Sequence, residues 1–346
     1  MIDAYARAGV DTGVADRGVR AIVEVLRGTA LGRESRSRLR DGHYASVLEV
    51  APGLGVAMST DGVGSKLILA EQSGRLDTVG IDCVAMNVND VVCVGAEPIA
   101  LLDYIAVERV DPRALAQIAL GLRRGAELAG VEIPGGELAV LPELIRGHPS
   151  PGGFELSGTA IGTVALDAIV DGGRCAPGDT LIGLPSSGLH SNGYTLARRL
   201  AEGRHDERPP ALGGASVAEA LLEPTAIYVK AVLALLRSEA SVHGLAHITG
   251  DGVLNLARLN RAAGFTIDRP LPVPGICAWL CERGAIAAAE AYQVFNMGCG
   301  FVVVVPASDA DAALALLREH HDGAAAIGRV TADAGAIALP SLGVAL

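Results

Sequence analysis

The chain has 346 residues, of which half are hydrophobic, only 3% are aromatic and 44 are glycine. This length exceeds what one hydrophobic core usually serves, so it predicts two domains. The formal net charge of −11, without any basic run, argues against nucleic acid or an anionic membrane as the main partner. No apolar signal core opens the chain and no stretch approaches the roughly 20 apolar residues that span a bilayer, which predicts a cytoplasmic protein.

The first half of the chain carries predicted strands and helices. Residues 47–60 have the pattern of strand, turn and strand, which brings Asp61 to an exposed strand end. Segment 78–94 has apolar residues at helical intervals but also polar ones, which predicts a helix with one face towards a cleft. The clearest helix begins at Asp111-Pro112, where an N-cap aspartate precedes a first-turn proline, and ends at Gly130.

A domain boundary is predicted in the middle of the chain. A strand over 156–165 is followed by the loop-like segment 171–179, so we expect domains of 1–168 and 169–346. The elements predicted beyond it are, in chain order, a strand at 180–184, a turn with His190, a helix from Tyr194, a polar loop at 203–216, a helix at 225–238, a buried strand at 301–306 and a helix capped by Ser308.

Six cysteines are spread through the chain and do not form a metal-binding pattern. Cys277 and Cys281 are the one close pair, and no second pair or suitably spaced histidine completes a zinc site. Thiols in a cytoplasmic protein are typically reduced and buried, where they pack as small hydrophobic side chains. We therefore assign the cysteines no chemistry.

The segment Ser59-Thr-Asp61-Gly62-Val-Gly64-Ser-Lys66 has the composition of a site for a metal nucleotide. Glycines let backbone N–H groups approach phosphate, lysine supplies a positive charge, and aspartate oxygens suit Mg²⁺. The spacing is not that of a Walker A loop. Taken alone, the segment is typical of a strand that ends in an Asp-Gly turn.

Further motifs follow this segment in a specific order. They are Val79-Gly-Ile-Asp82, Asn87-Val-Asn-Asp90, Leu102-Asp103-Tyr104, Gly135-Gly136-Glu137, Ser186-Ser-Gly-Leu-His190-Ser-Asn192-Gly-Tyr194, Glu223-Pro-Thr225, His247-Ile-Thr249-Gly250 and Phe295-Asn-Met-Gly298-Cys-Gly300. With these intervals, the series closely resembles the phosphoribosylformylglycinamidine cyclo-ligase family. The resemblance begins at Tyr5 and runs to about Pro306.

The resemblance implies a fold and a reaction. The expected fold has two α+β domains, with the mixed sheets of two N-terminal domains pairing into a barrel in a homodimer. The expected activity is the ATP-dependent cyclisation of formylglycinamidine ribonucleotide to aminoimidazole ribonucleotide, through an iminophosphate, in purine biosynthesis. ATP and Mg²⁺ are the implied cofactors, K⁺ is a further candidate, and neither nucleic acid nor a membrane is an expected partner.

The resemblance also assigns roles to individual residues. The expected metal ligands are Asp61, Asp90 and Glu137. The residues expected to bind the nucleotide are Asp61, Gly62, Gly64, Lys66, Asp90, Asn192, Thr249 and Gly250. The expected catalytic residues are His190, Glu137 and His247, with His190 in an open turn where it could contact phosphate or exchange a proton near neutral pH. Other interpretations stay open: Asp90 could cap a helix N-terminus, Lys66 could be a solvated surface charge, and His190 could be structural.

Three positions depart from the family pattern. Leu138 stands where a threonine usually follows Glu137, and residues 41–46 lack the expected glycine-rich loop, and these two changes weaken the assignment of the ATP site more than that of the fold. Asp251 interrupts a run of glycines and adds negative charge. Two alternatives therefore remain. The chain could be another ATP-dependent, kinase-like enzyme of the superfamily, or a non-catalytic nucleotide-binding paralogue.

Overall fold

The computed structural model describes residues 12–26, 29, 34–40 and 42–346. Within these ranges, the strands form one sheet in each half of the chain. The strands of the first sheet are β1 (Ser46–Ala51), β2 (Leu54–Gly62), β3 (Glu97–Val107), β4 (Glu132–Val140) and β5 (Phe154–Ala165). The strands of the second sheet are β6 (Thr180–Pro185), β7 (Gly244–His247), β8 (Gly264–Ile267), β9 (Cys299–Val305), β10 (Ala325–Thr331), β11 (Ile337–Leu339) and β12 (Val344–Ala345).

Helices accompany both sheets. The α-helices of the described ranges are α1 (Thr12–Leu26), α2 (Lys66–Ser73), α3 (Asp77–Val92), α4 (Pro112–Ala129), α5 (Tyr194–Ala201), α6 (Val217–Leu221), α7 (Val229–Leu236), α8 (Gly275–Gly284), α9 (Ala288–Val294) and α10 (Ala310–Arg318). The first sheet has the order β1-β2-β5-β3-β4 and the second the order β12-β11-β8-β10-β6-β9-β7. Each contains one parallel pair, β3 with β4 and β11 with β8. This architecture confirms the predicted two-domain α+β fold, and the segregation of the sheets supports a division at residue 168, which stays a proposal.

Helices α3 and α4 pack against the first sheet and approach each other very closely. A Cβ on Gly121 would lie 2.1 Å from the carbonyl oxygen of Asp77, and one on Gly80 would lie 2.3 Å from the nitrogen of Leu122. Both positions require glycine, because backbone touches backbone there. The contact fixes α3, which carries most of the polar residues described below.

The opposite face of the first sheet is apolar and open to solvent in the described structure. Met58 is paired with Ile161, and Leu102 with Thr159, so these side chains share one face. Leu102 and Tyr104 are 42% and 40% exposed. Because a sheet normally buries its apolar face against another layer, this surface is one where a partner is expected.

The second sheet is built around β9, whose seven residues are all buried. Its sequence contains the β-branched run that predicted a buried strand at 301–306, and the strand lies between β6 and β7. His247 is the last residue of β7 and is paired with Phe301. The central strand of the domain therefore sets the position of this histidine.

The signals predicted for α4 are confirmed. The Asp111 carboxylate accepts hydrogen bonds from the N–H groups of Arg113 and Ala114, at 2.8 and 3.3 Å. Gly130 ends the helix with φ of +77°, a left-handed conformation that favours glycine.

Two other predicted helix starts are wrong. Helix α7 begins at Val229 rather than at Thr225, because the N–H and hydroxyl of Thr225 donate to the carboxylate of Asp82 instead. Helix α10 is preceded by Asp309 rather than Ser308, and the Ser308 hydroxyl donates to the Asp309 carboxylate.

The six cysteines are free, and five of them are buried, as predicted. Burial raises the pKa of Cys277 and of Cys299 to about 12. Both thiols therefore stay protonated and unreactive at neutral pH.

Candidate active site

Helix α3 presents a row of polar side chains to the C-terminal domain. Asp82 and Asn89 lie about two helical turns apart, and both are fully buried. Asn89 Oδ1 accepts a hydrogen bond from the N–H of Tyr228 at 3.0 Å, and Nδ2 donates to the carbonyl of Ala226 at 2.9 Å. These backbone partners fix the orientation of the amide and attach the segment before α7 to α3.

Lys66 is fully buried where the two domains meet. Its Nζ forms an ion pair with Asp82 Oδ2 at 2.8 Å and donates to the carbonyls of Glu223 and His190 at 2.7 and 3.0 Å. Burial lowers the pKa of Lys66, and Asp82 opposes that shift. Because three protein groups surround Nζ, the prediction that Lys66 reaches a phosphate does not fit its position. The alternative, a solvated surface charge, is wrong.

Asp90 and His247 form a pair across the domain junction. His247 is fully buried, with Nδ1 at 2.9 Å from Asp90 Oδ1 and Nε2 at 3.4 Å from Asn89 Nδ2. Since the Asn89 amide nitrogen can only donate, Nε2 accepts and the Nδ1–H donates to Asp90. Asp90 lies near the C-terminal end of α3, so its alternative role as an N-cap is wrong.

Asp61 lies near the end of β2, close to Asp90. Burial raises the pKa of Asp61, and the neighbouring Asp90 carboxylate raises it further. The Gly62 N–H donates to Asp61 Oδ1 at 2.8 Å, and Asn87 Nδ2 donates to the Asp61 carbonyl at 3.2 Å. The Asp90 carboxylate thus lies near enough to act on that of Asp61, and Mg²⁺ commonly takes one or two carboxylates together with phosphate oxygens.

His190 lies in the predicted turn, but it is buried rather than open. It is 1% exposed and has φ of +64°. Nε2 accepts a hydrogen bond from the Ser187 N–H at 3.2 Å, whereas Nδ1 is buried and has no hydrogen-bond partner among the described residues. Burial places the pKa of His190 well below its ordinary value, so the ring is neutral. The expectation of an accessible imidazole that titrates near neutral pH is therefore wrong.

The remaining residues expected to bind the nucleotide lie around the same junction. Gly64 has φ of +72° just before α2. A Cβ on Gly250 would lie 3.3 Å from Asn192 Oδ1, and Asn192 Nδ2 lies 3.9 Å from the sulfur of Met86, one turn before Asp90 on α3. Asn192 and the turn Thr249-Gly250 thus adjoin the helix that carries Asp90.

Glu137 is not brought to this junction within one chain. It pairs with Tyr104 on β3, and the row continues across β5 to Gly62 on β2. Three strand spacings, about 14 Å, separate these positions. Asp61, Asp90 and Glu137 therefore do not form one metal site in a single chain. In the ranges that the structure describes, no group of three or more His, Cys, Asp or Glu residues could hold a metal ion.

Arg258 belongs to the site, although the sequence analysis did not select it. It ends a 3₁₀ helix, Gly252–Arg258, and its guanidinium forms an ion pair with Asp251 at 3.1 Å. It also acts to lower the pKa of Asp61, against the larger effect of burial. The extra charge of Asp251 thus comes with a compensating cation seven residues later, and this spacing was the available signal.

The other two positions that depart from the family pattern, Leu138 and the loop 41–46, lie in different environments. Leu138 lies beside Glu137 on β4 and is 44% exposed. Of the loop 41–46, Asp41 lies outside the described residues, and Tyr44 is buried with its hydroxyl donating to the carbonyl of Asn255 at 3.1 Å. The loop is therefore attached to the C-terminal domain through a tyrosine.

Comparisons with known proteins agree with this architecture. Residues 42–164 match the N-terminal domain of AIR synthase related proteins, and residues 176–339 match their C-terminal domain. The phosphoribosylformylglycinamidine cyclo-ligase of Thermococcus kodakarensis is 46% identical over 336 residues, 96% of each chain. The chain belongs to the phosphoribosylformylglycinamidine cyclo-ligase family. The enzyme of that name from Methanothermobacter thermautotrophicus is 48% identical over 295 residues, which cover 84% of this chain and 83% of the relative.

Solved structures with low sequence identity share the fold of this cyclo-ligase family member. A structure of the HypE-HypF complex gives a TM-score of 0.64 at 21% identity and covers 94% of this chain and 98% of the other. Thiamine monophosphate kinase from Aquifex aeolicus gives a TM-score of 0.61 at 16% identity, with 92% and 96% covered. At these identities, the likeness shows the fold alone.

Proposed function

We propose that this family member is an ATP-dependent ligase that cyclises formylglycinamidine ribonucleotide to aminoimidazole ribonucleotide in purine biosynthesis. The observation that carries the proposal is the pair of carboxylates of Asp61 and Asp90 at the domain junction, with the buried His247 behind Asp90. Relatives that align along 96 to 99% of the chain are named for this cyclo-ligase reaction.

The carboxylate pair supports the binding of ATP with Mg²⁺. Asp61 and Asp90 would hold the ion, and water and phosphate oxygens would complete its coordination, so a third protein ligand is not needed. When bound, the ion neutralises phosphate charge that two carboxylates would otherwise repel. Within the same fold, a HypE structure is described as a complex with ATP and a ThiL structure as a complex with AMPPCP.

The proposed reaction divides the remaining roles among the residues of the junction. Transfer of a phosphoryl group to the formamide oxygen gives an iminophosphate, and attack by the amidine nitrogen closes the ring and releases phosphate. Gly62, Gly64, Asn192 and the turn Thr249-Gly250 are the proposed phosphate contacts. His247 donates to Asp90 and orients that carboxylate. His190 keeps a proposed catalytic role as a neutral hydrogen-bond donor, because Nδ1 has no partner among the described residues.

The proposal includes a homodimer in which the open faces of two first sheets pack together. The exposed apolar residues of that face, such as Leu102 and Tyr104, support it. Glu137 lies too far from Asp61 in its own chain, so any role in catalysis requires the site of the second subunit. We further propose that the enzyme acts in the cytoplasm, where ATP is available. K⁺ is a proposed activator. No helix in the described part of the chain is long and apolar enough to cross a membrane.

Neither alternative function gains an observation in its favour. The non-catalytic alternative rested on Leu138 and on the loop 41–46, whose Tyr44 is buried and donates to the carbonyl of Asn255. The kinase-like alternative rested on the superfamily, whereas the curated relatives at 42 to 48% identity carry the cyclo-ligase name.

A steady-state assay with formylglycinamidine ribonucleotide, ATP and Mg²⁺ tests the proposed function. We expect equal amounts of ADP and aminoimidazole ribonucleotide. Asp90→Asn keeps an acceptor for His247 but removes one anionic ligand, so Mg²⁺–ATP affinity should fall about tenfold or more in calorimetric titration. Asp268→Asn, at an exposed ion pair on the C-terminal domain, is the control. Unchanged affinity would remove Asp90 from the site, and absence of product would contradict the function.

A further inference from the structure

We propose that a pocket lined by Arg40, Arg258 and Arg261 binds the phosphate group of a ligand at the domain junction. The pocket has a volume of about 370 Å³. It is built by both halves of the chain, since Arg40 precedes β1 and the other two arginines lie at and just after the end of the 3₁₀ helix Gly252–Arg258. The identity of the ligand, but not the existence of the pocket, rests on the proposed function.

The charge of this pocket is opposite to that of the chain. The protein carries a formal net charge of −11, yet three guanidinium groups line this pocket. Among the described lining residues, Asp251 is the one carboxylate, and it is paired with Arg258. Within this described lining, two positive charges are therefore left to compensate the two negative charges of a phosphate monoester. The planar fork of guanidinium donors also matches phosphate oxygens in geometry.

Contacts within the chain hold two of the three arginines, Arg40 and Arg258, in place. Arg40 donates to the carbonyls of Arg258 and Leu259, the latter at 2.8 Å, which keeps its guanidinium at the end of the 3₁₀ helix. The Arg258 guanidinium lies 5.2 Å from the centre of the Tyr44 ring. The fold thus holds the guanidinium groups of Arg40 and Arg258 near each other despite their mutual repulsion.

The neighbourhood of the pocket connects it to the carboxylate pair. The pKa of His43 is lowered to about 4, first by burial and then by Arg40, whereas Asp171 opposes the shift. Asp251 directly follows Thr249-Gly250, and Arg258 is close enough to act on the pKa of Asp61. A ligand could therefore place a phosphate among the arginines and its reacting end at the carboxylates.

Both substrates of the proposed reaction carry phosphate, so the test separates the nucleotide from the ribonucleotide. The probes are ribose 5-phosphate, inorganic phosphate and Mg²⁺–ATP, titrated calorimetrically into the full-length protein. Arg258→Gln and Arg261→Gln should each weaken the binding of ribose 5-phosphate about tenfold. Asp251→Asn should strengthen it, because it removes the one carboxylate and frees Arg258. Arg329→Gln, which breaks a comparable exposed pair with Asp268, should leave it unchanged.

Each outcome decides between assignments. Loss of ribose 5-phosphate binding supports a ribonucleotide phosphate site, and loss of Mg²⁺–ATP binding alone supports a nucleotide phosphate site. Unchanged binding of all probes in both arginine variants, or equal weakening by Arg329→Gln, would overturn the pocket. If Arg258→Gln unfolds, Arg261→Gln decides, because Arg261 is exposed. If the wild-type protein shows no turnover but binds a probe that the arginine variants bind more weakly, the proposed function is contradicted and the phosphate pocket is supported.

Discussion

Lys66 shows how burial changes the role that a residue type suggests. A lysine after a glycine turn is expected to meet phosphate, yet here Nζ lies in the interior beside Asp82. Asp82 also accepts hydrogen bonds from the N–H and hydroxyl of Thr225, both at 2.7 Å, and from the Ser191 hydroxyl at 3.1 Å. Removing two charges from water is costly, so each needs this full set of partners. The network joins α2 and α3 to the turn that carries His190.

Lys66→Met should lower the free energy of unfolding by about 3–5 kcal/mol, because it leaves the Asp82 carboxylate buried without its cation. Urea denaturation measures the change. Lys230→Met is the matched control, since that exposed lysine donates to the carbonyl of Glu127, and it should cost less than about 1 kcal/mol.

The double variant Lys66→Met/Asp82→Leu distinguishes the ion pair from general packing. Replacing both charges by apolar side chains should recover a large part of the lost stability. If the double variant is less stable than Lys66→Met alone, the unpaired Asp82 carboxylate is not the cause of the stability lost in Lys66→Met.

At the scale of elements, the site depends on where α3 lies. Its polar residues meet the C-terminal domain because its other side is held against α4 through Gly80 and Gly121. The helical period of segment 78–94 predicted the helix, and α4 was predicted from its caps. The closeness of the two helices was not predictable, because it depends on which glycines face each other.

Gly121→Ala should lower the free energy of unfolding by about 1–3 kcal/mol or more, because its Cβ would lie 2.1 Å from the carbonyl oxygen of Asp77. Gly18→Ala on α1 is the control, since nothing lies within 4 Å of a Cβ there. It should be neutral or slightly stabilising. Thermal unfolding of both variants is the measurement, and equal effects would contradict the close contact.

At the scale of the whole molecule, the open sheet face predicts association. Static light scattering of the wild-type protein should give twice the chain mass of 35.2 kDa. Leu102→Glu places a charge on the open face and should shift the protein towards monomer. Leu120→Glu, on α4 and 60% exposed, should leave the mass unchanged. A wild-type monomer, or a Leu102→Glu dimer as stable as the wild type, would contradict the proposed interface.

The contribution of His43 to stability should fall as the pH falls from about 6.5 to about 4. Burial, and then Arg40, lower the pKa of His43 to about 4 from 6.5 in the unfolded chain. The unfolded state therefore binds more protons in this window, so the free energy of unfolding rises with pH through it. The contribution of His43 is at most about 3 kcal/mol. His190, whose pKa burial also lowers, acts in the same direction.

Denaturation in urea at several pH values between 4 and 7 measures this dependence. His43→Gln should flatten the curve, whereas the exposed His320→Gln should not. The same slope in His43→Gln and in the wild type would exclude His43 as its source.

The order of motifs along the chain was enough to identify the family, and local patterns were enough for the strands around Asp61, the ends of α4 and the buried strand β9. These features depend on nearest neighbours in sequence, or on a series of residues that few other proteins carry. Burial and the meeting of two distant segments decided the rest. Lys66 became an internal partner of Asp82, His190 lost its access to solvent, Glu137 was separated from Asp61 by the width of the sheet, and Arg258 joined the site. None of these outcomes follows from a residue and its neighbours, because each depends on which surface packs against it.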